Sequence, residues 1–163
     1  MKKLLSILIA IALMATMSVT AFAVETTYDL WVAGVQVTSN NLEINSADNG
    51  AITGSAKYDP ATNTLTLNNF SYTGEGYAIP DTESGAIIYS NGNLNLKLTG
   101  TSSITYDNSA ETVVYPAGLF VEGDLTVTDD SDGSLTVTAG DTGISALGNI
   151  TISGVNTVVE ATG

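Results

Sequence analysis

The chain has 163 residues, with 17 carboxylates against four lysines and with no arginine, histidine or cysteine. Without cysteine no disulfide can staple it, whatever the compartment. A net charge of −13 with so few cations argues against nucleic acid and anionic lipid as partners, since both need clustered Lys or Arg, and the usual Ser/Cys/His catalytic pairings are missing.

Taken in order, the chain opens with Lys2-Lys3, an apolar run from Leu4 to Met17 and the small-x-small site Ala21-Phe22-Ala23. That pattern predicts a signal peptide over 1–23; the run is too short for the roughly 20 apolar residues of a membrane span. No further span follows, so a secreted protein, extracellular or at the cell surface, is expected. Next come two predicted hairpins. Tyr28 to Thr38 reads as strand, Ala33-Gly34 turn, strand, and Gly54 to Asn69 reads the same way around Asp59-Pro60. Residues 24–84 are therefore assigned to N-terminal hairpins and a cap.

From residue 85 to 163 a repeat takes over. "GLFVEGDLTVT", Gly118 to Thr128, and "GISALGNITIS", Gly143 to Ser153, match as G-x4-G-[DN]-[LI]-T-[VI]-[TS]. A third copy, Ile88 to Leu98, fits with isoleucine in place of the first glycine. Units of this length, with short strands and no room for a helix, predict an all-β chain of stacked turns, a parallel β-helix. Leu94, Leu125 and Ile150 should form one inward ladder, and Gly92-Asn93, Gly123-Asp124 and Gly148-Asn149 the corners, in αL conformation. An antiparallel sandwich also gives short, evenly spaced strands, but a motif recurring in one phase favours stacked coils.

The runs "YDLWVAGVQVTSNN … YDPATNTLTLNN" and "GDLTVTDDSDGSLTVTAGDTGISALGNITISG" resemble secreted bacterial carbohydrate-binding β-helix proteins, distant in form from pectate lyases. That resemblance implies a right-handed, single-stranded parallel β-helix with an N-terminal hairpin cap, extracellular display, binding of plant cell-wall or similar polysaccharide, and in some relatives bound calcium. The end at "VVEATG" carries no visible polar cap of the kind repeat arrays need, so the expectation is a fragment of a longer chain.

Candidate sites follow from the loops. "VTDDSDG" fails as an EF-hand, because Thr128 and Ala139 would stand where Asp and Glu are required. Asp129 and Asp130, as strand neighbours, would point to opposite faces rather than flank a sugar as an acid-base pair. The stretch is predicted to be an Asx-rich corner with Gly133 at φ > 0. The segments leading into Gly85, Gly118 and Gly143 differ greatly in length and should share one corner. They carry Glu75, Asp81, Glu83, Asp107, Glu111 and Asp141, beside Tyr77 and Tyr115. Carboxylates hydrogen-bond sugar hydroxyls and tyrosine faces a pyranose, so Glu75, Tyr77, Asp81, Glu83, Asp107, Glu111 and Tyr115 are the predicted ligand-binding residues. Asp107, Glu111 and Asp141 are the predicted ligands of calcium as cofactor. Trp31 is expected to plug the N-terminal end of the core. Outward Thr-x-Thr steps such as Thr126/Thr128 suggest an ice-binding face, but Asn95 and Lys97 should lie over them and spoil the array. The expectation is a monomeric, non-catalytic polysaccharide-binding module, with a structural or adhesive surface repeat as the alternative.

Overall fold

A computed structural model describes residues 24–129, 132–154 and 158–163, the last group only in its backbone at 158–160. The predicted signal peptide, residues 1–23, and Asp130 lie outside the described residues. Every regular element among them is a strand. The N-terminal part holds β1 (Thr27–Val32), β2 (Val35–Thr38), β3 (Glu43–Asn45), β4 (Thr53–Asp59), β5 (Thr64–Gly74) and the short β6 (Tyr77–Ala78). Three units of three strands follow: β7 (Ser84–Ser90), β8 (Leu94–Thr99) and β9 (Thr101–Tyr106); β10 (Tyr115–Val121), β11 (Leu125–Asp129) and β12 (Ser134–Thr138); β13 (Thr142–Ala146), β14 (Ile150–Ile152) and β15 (Val158–Thr162).

The strands form two sheets. One runs β13-β10-β7-β1-β2 with β6 beside β7, the other β14-β11-β8-β5-β9-β12-β15 with β3 and β4 leading onto β5. Within the three units every pairing joins strands of equal place in successive units, and every such pairing is parallel. The N-terminal strands pair antiparallel with one another. Strand β5 belongs to both patterns. Antiparallel to β4, it is also parallel to β8 along Thr64–Asn68 and to β9 along Ser71–Gly74. It changes direction near Asn69, whose φ is 46°.

Both predicted hairpins are present. In the first, Ala33 and Gly34 take φ of 51° and 78°, the two left-handed positions of a I′ turn, whose twist matches that of the strands it joins. Ala33 tolerates this because its N–H is tied to the Ile87 carbonyl at 2.8 Å.

The inward ladders follow the sequence motif. Leu125 pairs with Leu94 on one side and Ile150 on the other, and Val127 with Leu96 and Ile152. Leu65 stands opposite Leu96 in turn. Leu65, Leu96, Leu125 and Val127 are fully buried, each such burial being worth roughly 1.5–3 kcal/mol. Ile150 and Ile152 remain 47 % and 51 % exposed, because no described strand lies beyond β14. The register corrects one alignment: Leu119 stands opposite Ile88, so the residue in the place of Gly118 is Ile87, and the third copy begins one residue earlier than the motif alone suggests.

The corners stack as expected but for a different reason. Asn93 Oδ1 accepts the Asp124 N–H at 2.8 Å, and Asp124 Oδ1 accepts the Asn149 N–H at 2.7 Å. A Cβ on Gly123 would strike Asn93 Oδ1, and one on Gly148 would strike Asp124 Oδ1. Close approach, not αL geometry, requires these two glycines. The same holds at Gly133, where a Cβ would come within 2.6 Å of the Leu98 Cβ; the expected positive φ is absent there.

Candidate functional site

Alternation along β1 sends Leu30 and Val32 into the main core and Trp31 to the opposite face of the sheet. Trp31 is therefore not a plug of the core. It stands opposite Tyr89 of β7, which stands opposite Phe120 of β10, which stands opposite Ser145 of β13. Tyr77, from β6 and paired with Ala86, reaches the same face. Its ring stacks on Trp31 with centroids 4.3 Å apart and on Tyr89 at 5.4 Å; Trp31 and Tyr89 are 5.5 Å apart, and Tyr89 and Phe120 6.0 Å. At about 4.8 Å per strand the row covers some 10 Å of sheet.

Tyr89 anchors the row. It is 5 % exposed, and its hydroxyl donates to Glu122 Oε1 at 2.7 Å. Burial, then the bond to Glu122, raises its pKa well above the ordinary phenol range. Trp31, Tyr77 and Phe120 keep part of their rings open to solvent.

Next to Phe120 the sheet sinks into a hollow of about 120 Å³, lined among others by Ser84, Tyr115, Phe120, Asp141, Thr142 and Ser145. Tyr115 is 51 % exposed. Asp141 Oδ2 accepts the Thr142 hydroxyl at 2.9 Å, while the Asp141 N–H reaches the Pro116 carbonyl at 3.3 Å. No lysine lines the hollow.

The three predicted loops stack at one edge of the sheets. The Asp107 N–H donates to the Gly74 carbonyl at 2.9 Å, and the Val114 and Tyr115 N–H groups donate to the Glu83 main-chain carbonyl at 2.8 and 3.1 Å. Of the predicted residues, Tyr115 and Asp141 meet at the hollow and Tyr77 joins the aromatic row. Glu75, Asp81, Glu83, Asp107 and Glu111 are exposed on the loops and line neither. Asp107 instead builds its own loop, its Oδ1 accepting the Ser109 N–H at 3.0 Å, and Asp81 and Glu111 sit at turn positions with φ of 59° and 52°. Among the described residues no group of three or more carboxylates gathers closely enough to share an ion.

Sequence reasoning missed Trp31, Tyr89 and Phe120 as a group. The signal was available: Tyr89 and Phe120 occupy the same place in successive repeats. Starting the third copy at Ile88 sets Tyr89 against Leu119 and hides the match.

No protein-family profile matches the chain, nor does any curated protein or solved structure. No helix of the described residues is long and apolar enough to cross a membrane.

Proposed function

We propose that the chain is a secreted, non-catalytic polysaccharide-binding module, monomeric, whose three-strand units wind as coils of a right-handed single-stranded parallel β-helix capped by the N-terminal hairpins. For the hand, crossovers between parallel strands of one sheet are right-handed in about 98 % of cases. The observation that carries the function is the aromatic row of Trp31, Tyr77 and Phe120 on buried Tyr89, continuous at Phe120 with a hollow that Tyr115 and Asp141 also line. Rings stacked on one another on rigid strands leave outer faces and edges that suit the apolar face of a sugar, and the Asp141 carboxylate with the Tyr115 hydroxyl suits its hydroxyls. The resemblance to secreted carbohydrate-binding β-helix proteins points the same way, toward plant cell-wall or similar glycans. Calcium enters as an aid at the loop carboxylates, and no contact with sugar is routed through it.

The test is depletion of the chain 24–163 from solution by insoluble polysaccharides. Phe120→Ala and Tyr77→Ala should each reduce the bound fraction, since the contact of a sugar's apolar C–H face with the aromatic ring is lost with it; unchanged depletion by both would refute the aromatic face. Release of new reducing ends or unsaturated products would refute the non-catalytic part. A structural or adhesive role is the second reading, favoured by the apolar edge of Leu147, Ile150 and Ile152, which are 70 %, 47 % and 51 % exposed. It predicts self-association without sugar binding.

A further inference from the structure

The aromatic row has an acidic border. On β1 Leu30 and Val32 are buried in the main core and the residues between and before them alternate outward, so Asp29 faces the same side as Trp31, about 7 Å along the strand. The pairs Trp31–Tyr89 and Tyr89–Phe120 are in register. One rung on, the Asn91 N–H holds the Asp29 carbonyl at 2.9 Å and the Glu122 N–H holds the Ser90 carbonyl at 2.9 Å. Asp29 and Glu122 therefore border the rings on one side, across two strand spacings of about 4.8 Å each.

Both carboxylates are exposed, and both act on the buried ring between them. Glu122 Oε1 accepts the Tyr89 hydroxyl at 2.7 Å. After burial, the Glu122 hydrogen bond and charge and then the charge of Asp29 help to raise the Tyr89 pKa, as carboxylates on one face with the phenol must. Beyond Phe120, Asp141 lines the hollow.

Nothing on this face offsets the border. Among the described residues only Lys57 and Lys97 have cationic side chains, and they stand on β4 and β8, strands of the other sheet. A polyuronate laid on the rings would bring a carboxylate with each sugar toward Asp29, Glu122 and Asp141, and like charges repel over a Debye length of about 8 Å at physiological ionic strength. An uncharged chain meets no such repulsion. Its hydroxyls donate to the same carboxylates, which only accept, and exchange hydrogen bonds with Ser84, Tyr115 and Ser145 in the hollow.

We propose that Asp29 and Glu122 are specificity-determining residues of the aromatic face, setting it to take uncharged glycans and to reject polyuronates. For the presence of a glycan this rests on the polysaccharide-binding reading.

The experiment is depletion of the chain 24–163 by polymers paired to differ only in charge: methyl-esterified against de-esterified homogalacturonan, and cellulose against cellulose carboxylated at C6. A chelator is present throughout, so that no calcium bridges carboxylates. Each pair is compared at about 0.01 M salt, where charges act over ~30 Å, and at about 1 M, where their reach falls to ~3 Å. In at least one pair the uncharged member should bind about tenfold more tightly at low salt, the size expected from two or three exposed like charges, and the ratio should fall toward one at high salt. Glu122→Gln, which keeps the oxygen that accepts the Tyr89 hydroxyl, and Asp29→Asn should each lower the low-salt ratio about twofold. Glu43→Gln, the same loss of charge at an exposed position of β3 in the other sheet, should leave it unchanged. Equal or stronger retention by the carboxylated member overturns the proposal and leaves the polysaccharide reading standing, and so does a ratio that Glu43→Gln lowers as much as Glu122→Gln. Retention by neither member of either pair removes both.

Discussion

Truncating Leu96 and Ile152 to alanine probes two rungs of one stack with very different surroundings. Leu96 is held between Leu65 and Val127, all three fully buried, whereas Ile152 follows Val127 at the open end and is 51 % exposed. Each change removes three carbons, worth about 2.4 kcal/mol at ~0.8 kcal/mol per buried methylene. At Leu96 the strands on both sides are pinned by their ladders, so the cavity cannot close and its cost adds, bringing the total to ~4 kcal/mol, inside the range of about 2.7–5.0 measured for enclosed leucines. At Ile152 about half the transfer term is already lost to solvent and no cavity forms, leaving ~1 kcal/mol. Urea unfolding reads the contrast directly: with a slope of ~2 kcal/mol per molar, the midpoint should fall by about 2 M for Leu96→Ala and by about 0.5 M for Ile152→Ala, at unchanged slope. Equal shifts would mean that Leu96 is not enclosed by its neighbours in the way the register requires, and the stacking reasoning would fail.

Gly118→Ala should cost about 1–3 kcal/mol, because its Cβ would strike Val137 Cγ1 and come 2.7 Å from the Gly143 carbonyl oxygen; Gly50→Ala, with nothing within 4 Å, should stay within about 0.5 kcal/mol, and thermal melts compare them. The raised pKa of Tyr89 makes stability pH-dependent in the alkaline range. The folded state favours the neutral phenol, so its contribution is complete below the unfolded value of about 10 and is lost as pH climbs through the higher folded value. Melts between about pH 9 and 12 should fall less steeply in Tyr89→Phe, with Tyr58 and Tyr106, also raised by burial, supplying the remaining slope; an identical fall would refute Tyr89 as a contributor. Calcium should raise the melting temperature more than magnesium, and Asp107→Asn with Glu111→Gln should remove most of the rise; a rise that survives the double change places the ion elsewhere.

The inward ladder was legible because its signal is local and repeated: Leu94, Leu125 and Ile150 each follow a Gly-Asx pair, and two residues' worth of phase fixes which side chain points inward. The stacked loops were legible from the same frame. What could not be read was any contact set by spatial neighbours outside the motif. Tyr77 lies before the repeats begin, and only the pairing of β6 with β7 brings it over Trp31. Trp31 itself looked like a core residue by size, yet the alternation of β1 places Leu30 and Val32 inside and leaves no choice for the residue between them. At the corners positive φ accounts for Gly92, with φ of 144°, but Gly123 and Gly148 answer to the proximity of an asparagine or aspartate oxygen from the preceding unit, which is invisible until the units are stacked. Nor does the sequence reveal that the Asn63 side chain crosses to the Asn93 carbonyl, 30 residues away.

The double pairing of β5 has a kinetic consequence. With β4 it forms a hairpin closed by four residues, a structure that assembles in about 1–10 μs. Its free edge then presents, along 11 residues, a ready surface for β8 and β9, whose partners lie 31 and 32 positions downstream. Every later parallel pairing requires the preceding unit to be in place, because isolated parallel strands have nothing to offset the entropy of closing so long a loop. Folding therefore runs from the N-terminal hairpin outward, in the order in which the chain is synthesised. Lesions in β4 or β5 should slow folding, while lesions in β13 or β14 should leave its rate almost unchanged and hasten unfolding, making β5 the seed on which the rest of the protein grows.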